Sequence, residues 1–132
     1  MRTIPCWIQR ADFTATEYEA VDSVRAVELL SAHDWPSEWR LLREREAAGL
    51  ETCPPGVGFT AAPGRILHVC PSDDGRALVH YQFTESERWL GFIPSSAVIV
   101  RTNSAVEIPR LPEFVRRFYA DDHAWLMDMT HG

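Results

Sequence analysis

The residues of this 132-residue chain best suited to chemistry are His68, Cys70, His80 and Cys53. Imidazole and thiolate are zinc ligands, and together they can also make a nucleophile and its base. His68 and Cys70 lie two apart in Arg65 to Cys70, a β-branched run that reads as a strand, so alternation puts both on one face. His80 belongs to the next run, Arg76 to Phe83. If Cys70 pairs with Arg76 across a simple hairpin, His80 falls diagonally opposite His68. Cys53 opens the rigid stretch Cys53-Pro54-Pro55-Gly56-Val57-Gly58, read as a shaped loop because prolines remove donors and glycines favour unusual backbone angles. The four residues match no finger or ribbon spacing, so no metal ion and no cofactor is expected. Cys70 with His80 is the only thiol and base pair the register offers. No motif supplies an oxyanion hole, and no GxSxG elbow is present, so no catalytic residue is assigned.

Other motifs reduce to structural readings. Gly56-Val57-Gly58 is too short for a dinucleotide fingerprint and no helix signal follows it. The carboxylate pairs Glu17/Glu19, Asp73/Asp74 and Glu85/Glu87 read as solvated charge. Asp121, Asp122 and Asp128 are the exception of interest, an acidic patch near the end of the chain. Trp35 and Trp39 recur at helical spacing, which suits a core position or an exposed pair that anchors a partner.

These residues must be positioned by a chain with 45% hydrophobic residues and a net charge of -6. That composition points to one compact domain. All thirteen basic residues are arginine, which excludes Schiff-base lysines, a P-loop lysine and a Ser-Lys pair. The acidic balance argues against nucleic acid or an anionic membrane surface as a partner. Three cysteines without CxxC spacing suit a reducing compartment, no apolar run reaches the length of a span, and the first residues do not resemble a signal peptide. Together with the arginine and alanine bias, this reads as a bacterial, cytoplasmic protein.

The expected fold is α+β: an antiparallel meander of four to six strands packed with about three helices. Strands are predicted at Pro5 to Arg10, Glu17 to Val21, Arg65 to Cys70, Arg76 to Phe83, Arg88 to Ile93 and Ala97 to Arg101. Pro71 to Gly75 and Thr84 to Glu87 are taken as turns. Asp22 caps a first helix ending near Ala32, with Val24 on its apolar side. Pro36 starts a second helix that stops at Gly49, and a single last helix runs from Leu111 through Met129. In this register one face of the meander carries Leu67, Val69, Ala77, Val79, Tyr81, Phe83, Leu90 and Phe92 as core. The other carries His68, Cys70, His80 and Trp89 among apolar residues, a face that is either covered or used.

Two functional expectations follow. The first is a stoichiometric protein-binding module of the immunity type, which neutralises a cognate basic toxin through Trp35, Trp39, Asp121, Asp122 and Asp128. The second is a small enzyme or ligand-binding protein whose pocket floor is His68, Cys70, His80 and Trp89, with Pro54-Pro55-Gly56 as rim. A homodimer that buries the second sheet face is a third arrangement.

Overall fold

The computed structural model describes the backbone of residues 1–89 and 93–132, and the side chains of residues 1–85 and 97–132. The elements follow the order β1 (Ile4–Gln9), β2 (Ala15–Val21), α1 (Ser23–Ala32), α2 (Trp35–Ala47), β3 (Gly56–Ala62), β4 (Arg65–Pro71), β5 (Arg76–Trp89), β6 (Ile93–Glu107), a 3-10 turn, α3 (Leu111–Tyr119) and α4 (His123–Met129). The strands form one antiparallel sheet in the order β2-β1-β3-β4-β5-β6, so the fold is α+β.

Side-chain alternation gives the sheet two unlike faces. Val57, Phe59, Leu67, Val69, Val79 and Tyr81 are fully buried on the first, where they meet Leu29 and Leu30 of α1 and Phe114, Val115, Phe118 and Leu126 of the C-terminal helices. Leu90 and Phe92, expected on this face, lie outside the described residues. The register is displaced by two residues from the expected one: Cys70 stands opposite Leu78, and Pro71 opposite Ala77. A two-residue shift leaves the paired side chains of β4 and β5 on their expected faces, but it moves His80 from the diagonal position to directly opposite His68.

Four expectations need correction. The stretch from Gly56 is not all loop; it starts β3, which pairs with both β1 and β4 in the middle of the sheet. Glycines weaken a strand signal, and here they mark a close approach of neighbouring side chains. Thr84 to Glu87 is not a turn, because β5 continues to Trp89 with Thr84 opposite Val98 and Glu85 opposite Ala97. The β4–β5 ladder ends at Gln82, so beyond it β5 pairs with β6 alone, and Thr84 and Glu85 are exposed. Val24 is 59% exposed, and α1 buries Ala26, Leu29 and Leu30 instead.

The last helix is two helices. Asp121 adopts a left-handed φ of 55°, and Asp122 caps α4 by accepting from the Trp125 amide at 3.3 Å. The break lets Leu126 turn back into the core. Arg101 of β6 holds α4 from below, donating to the Met127 carbonyl at 2.9 Å, and His131 pairs with Thr102 on the outer edge of β6. Among the described residues, no helix is long and apolar enough to cross a membrane.

Candidate functional site

The second face of the sheet carries the candidate site. Register places Trp7, Gly58, His68, His80 and Thr102 in one row across β1, β3, β4, β5 and β6. Glycine is required at the centre of that row, since a Cβ on Gly58 would collide with the Trp7 indole lying over it. A Cβ on Gly56 would sit 2.6 Å from the Val69 carbonyl, 2.9 Å from Cys70 Sγ and 3.0 Å from His68 Nε2. The two glycines thus make the floor low enough for the indole and imidazole to lie down. Trp7 and His68 are nearly parallel, with ring centroids 6.3 Å apart and planes 13° from each other. The ring centroids of His68 and His80 are also 6.3 Å apart.

Above this row opens a cleft of about 420 Å³, walled by Trp7, Phe13, Ile66, His80, Gln82 and Val100, with His68 in its floor and Cys53-Pro54 at its rim. Among the described residues, no helical residue and no formally charged side chain belongs to the lining. Cys53 fixes the rim to the sheet: its amide donates to the Ala11 carbonyl at 3.3 Å and its thiol to the Arg10 carbonyl at 3.0 Å. Phe13 forms a second lip. It stands at the tip of the β1–β2 turn, 54% exposed and in a left-handed conformation with φ 69°, rare for an aromatic residue. The Asp12 carboxylate accepts from the Thr14 amide and hydroxyl and so holds the turn, and these bonds keep its acidity stronger than usual.

The chemistry available here is that of neutral groups. Cys70 Sγ lies 3.5 Å from His68 Nδ1. Burial pushes the Cys70 thiol up to about 12, with Cys53 adding to it, and burial pushes His68 down to about 4, with His80 adding to it. A thiolate–imidazolium pair needs the opposite order. At neutral pH a protonated thiol lies beside an uncharged imidazole, and neither is prepared to attack. Among the described residues, no group of three or more His, Cys, Asp and Glu side chains is arranged to hold a metal ion.

The structure places His68, Cys70 and His80 on one face, but of these only His68 and His80 line the cleft, Cys70 being buried beside His68, and of the expected rim only Pro54 does; the side chain of Trp89 lies outside the described residues. Trp7, Gln9, Phe13 and Val100 complete the cleft without having been singled out. Their signal was present in part, for Trp7 and Gln9 alternate on β1 and Val100 falls two before Thr102, opposite Gln82.

The residues expected to meet a partner are placed differently. Trp35 is 8% exposed and its indole donates to the Leu30 carbonyl at 2.8 Å. Trp39 is half-buried and donates to the Pro71 carbonyl at 2.6 Å. Asp121 is paired with Arg2 at 2.7 Å and Arg65 at 2.6 Å, the Arg2 hydrogen bond doing most to hold its carboxyl below the ordinary range. Asp122 caps α4 and meets Arg117 at 2.8 Å. Asp128 is exposed. Four of these five side chains thus serve the protein's own packing in this conformation.

This is an α+β sheet protein with a cleft on the sheet face opposite its main core. Compared with known proteins, the chain matches no family model, no curated protein and no solved structure.

Proposed function

We propose that this chain is a stoichiometric binding module that engages a protein partner through the open face of its sheet, at the cleft between Trp7 and Val100. The observation that carries the reading is the cleft itself: a hollow of about 420 Å³ whose described lining holds no formally charged and no helical residue, edged by Phe13 at 54% exposure and Val100 at 46%. Exposed aromatic and aliphatic side chains around a concavity are what a partner's anchor residue requires. The raised Cys70 thiol and lowered His68 favour binding over catalysis. The net charge of -6 suits a basic partner, and an immunity-type inhibitor of a basic toxin is the member of this class that the composition fits best. A small-molecule guest is the second reading, favoured by a cleft volume within the range of about 300–1,000 Å³ usual for ligand pockets.

The test is affinity capture with tagged wild-type chain and two variants, His80→Glu and Asp128→Asn. A single stoichiometric partner recovered by wild type and by Asp128→Asn, but lost with His80→Glu, is the expected result. A partner retained by His80→Glu and lost with Asp128→Asn would move the interface to the last helix and overturn the reading.

A further inference from the structure

The cleft has a neighbour. On the other side of the Trp7 indole lies a second hollow of about 320 Å³, bordered by Pro5, Trp7, Glu17 and Glu19. Glu17 stands directly opposite Trp7 in the β1–β2 ladder, and Glu19, where the register shifts between Tyr18 and Val21, lines the same hollow. Both carboxylates are exposed, and among the described residues neither makes an ion pair. Among the described residues, no arginine lines either hollow. One aromatic wall thus separates a hollow whose described lining is uncharged from an acidic one.

We infer that the occupant of this face is an extended segment of a basic partner that carries an aromatic side chain and, two residues away, an arginine or lysine. The inference rests on the open-face reading above and specifies what fills it. The aromatic ring enters the large cleft, where a charge would lie unpaired among Trp7, Phe13, Ile66 and Val100 and would lose its hydration without compensation. Gln82 and His80 offer hydrogen bonds to a neutral group at the cleft wall. The cation enters the second hollow, facing Glu17 and Glu19 with the Trp7 indole alongside, where carboxylate attraction and the ring face act together. Spacing agrees. Strands lie about 4.8 Å apart, so the second hollow at β1 and β2 and the His68–His80 part of the cleft on β4 and β5 are separated by roughly three strand spacings, about 14 Å. Side chains two apart in an extended segment are about 7 Å apart at their Cβ atoms, and the arginine stem covers the remainder.

The test uses blocked tripeptides, Ac-Phe-Gly-Arg-NH2 and Ac-Phe-Gly-Glu-NH2, titrated into the full chain and followed by the Trp7 indole and His80 imidazole NMR signals. The arginine peptide is expected to shift both signals and to bind about fivefold more tightly than the glutamate peptide, the scale of a pair of exposed ion pairs. In the double variant Glu17→Gln/Glu19→Gln that preference is expected to fall to about twofold or less, with the phenylalanine-dependent shift of His80 unchanged. Equal binding of the two peptides to wild type, or a preference that survives the double variant, would overturn the two-hollow assignment and leave the cleft intact. If neither peptide moves the Trp7 or His80 signals, the open-face reading falls with it.

Discussion

The two faces of this sheet are built from the same strands and differ in what covers them. On the helix-covered face, positions such as Val57, Leu67, Val79 and Tyr81 are fully buried, and any change of volume is felt by close-packed neighbours. On the open face the corresponding row is Trp7, Gly58, His68 and His80, where packing is one-sided and two glycines leave room for rings. The first face has one good arrangement and sets stability. The second keeps aromatic and aliphatic groups partly in water, a cost that a folded chain bears when the surface has another use.

Substitutions that treat the faces alike should separate them, and the largest effect belongs to the covered one. Phe118 is fully buried in α3, with its ring edge-on to Tyr81 at 6.3 Å and Arg65 over its face at 5.6 Å. Phe118→Ala is expected to destabilise the fold by about 3–5 kcal/mol in urea unfolding. A loss under about 1 kcal/mol, the scale of surface changes, would break the distinction between the faces.

Next comes pH, through His68 beneath the cleft. Its folded-state value of about 4 lies below its ordinary 6.5, so the unfolded chain binds the proton more readily between those limits. Stability from this group is fully present above about pH 6.5, falls as pH drops from there to about 4, and is flat below. The shift corresponds to at most about 3 kcal/mol. His68→Gln should flatten that part of the profile in urea unfolding series at pH 4, 5.5 and 7. An unchanged slope would mean that His68 is not desolvated by the row it lies in.

How much of this was legible from the sequence follows the same division. Where burial is two-sided or alternation is strict, the reading holds: Leu67, Val69, Val79 and Tyr81 were assigned to the core face, and His68, Cys70 and His80 to the other. The faces survived even a register error, because a shift of two residues preserves them. Reading failed where tertiary contacts override local preference. Gly56 and Gly58 look like loop until the Trp7 indole and the Cys70 and His68 side chains, all distant in sequence, are seen to occupy the space where Cβ atoms would be. The polar run at Thr84 looks like a turn, yet a long β6 partner holds it as strand. The left-handed Asp121 splits a helix that hydrophobic periodicity alone runs together. Phe13, the lip of the cleft, owes its place to a turn conformation that aromatic residues seldom adopt, and no sequence pattern announces that.

A smaller effect is expected at Gly58, where stability and binding should part company. Gly58→Ala forces the indole of Trp7 off the sheet, at a cost of about 1–3 kcal/mol typical of overpacking, tempered here by the open side into which the ring can swing. The Trp7 indole signal should move toward its solvent-exposed position and binding at the cleft should be lost, while the covered core keeps its native NMR shifts. Shifts that spread through Phe59 and Leu67 would show the faces to be mechanically coupled.

The smallest effect carries the opposite sign. Phe13 pays for its left-handed φ of 69° with backbone strain of about 1–2 kcal/mol, and asparagine tolerates that conformation better. Phe13→Asn should therefore stabilise the fold slightly, by about 0.5 kcal/mol after the loss of the ring's partial contacts. If the exposed ring serves only packing, the substitution should lower the unfolding midpoint, as a lost hydrophobic contact does. If the ring is held in place as one lip of the cleft, the midpoint rises while affinity for the aromatic tripeptide falls, because that side of the hollow is now open to water. A strained aromatic residue at a turn tip, 54% exposed, gives the fold little buried area in return for its strain, and this is the physical reason to expect the second outcome.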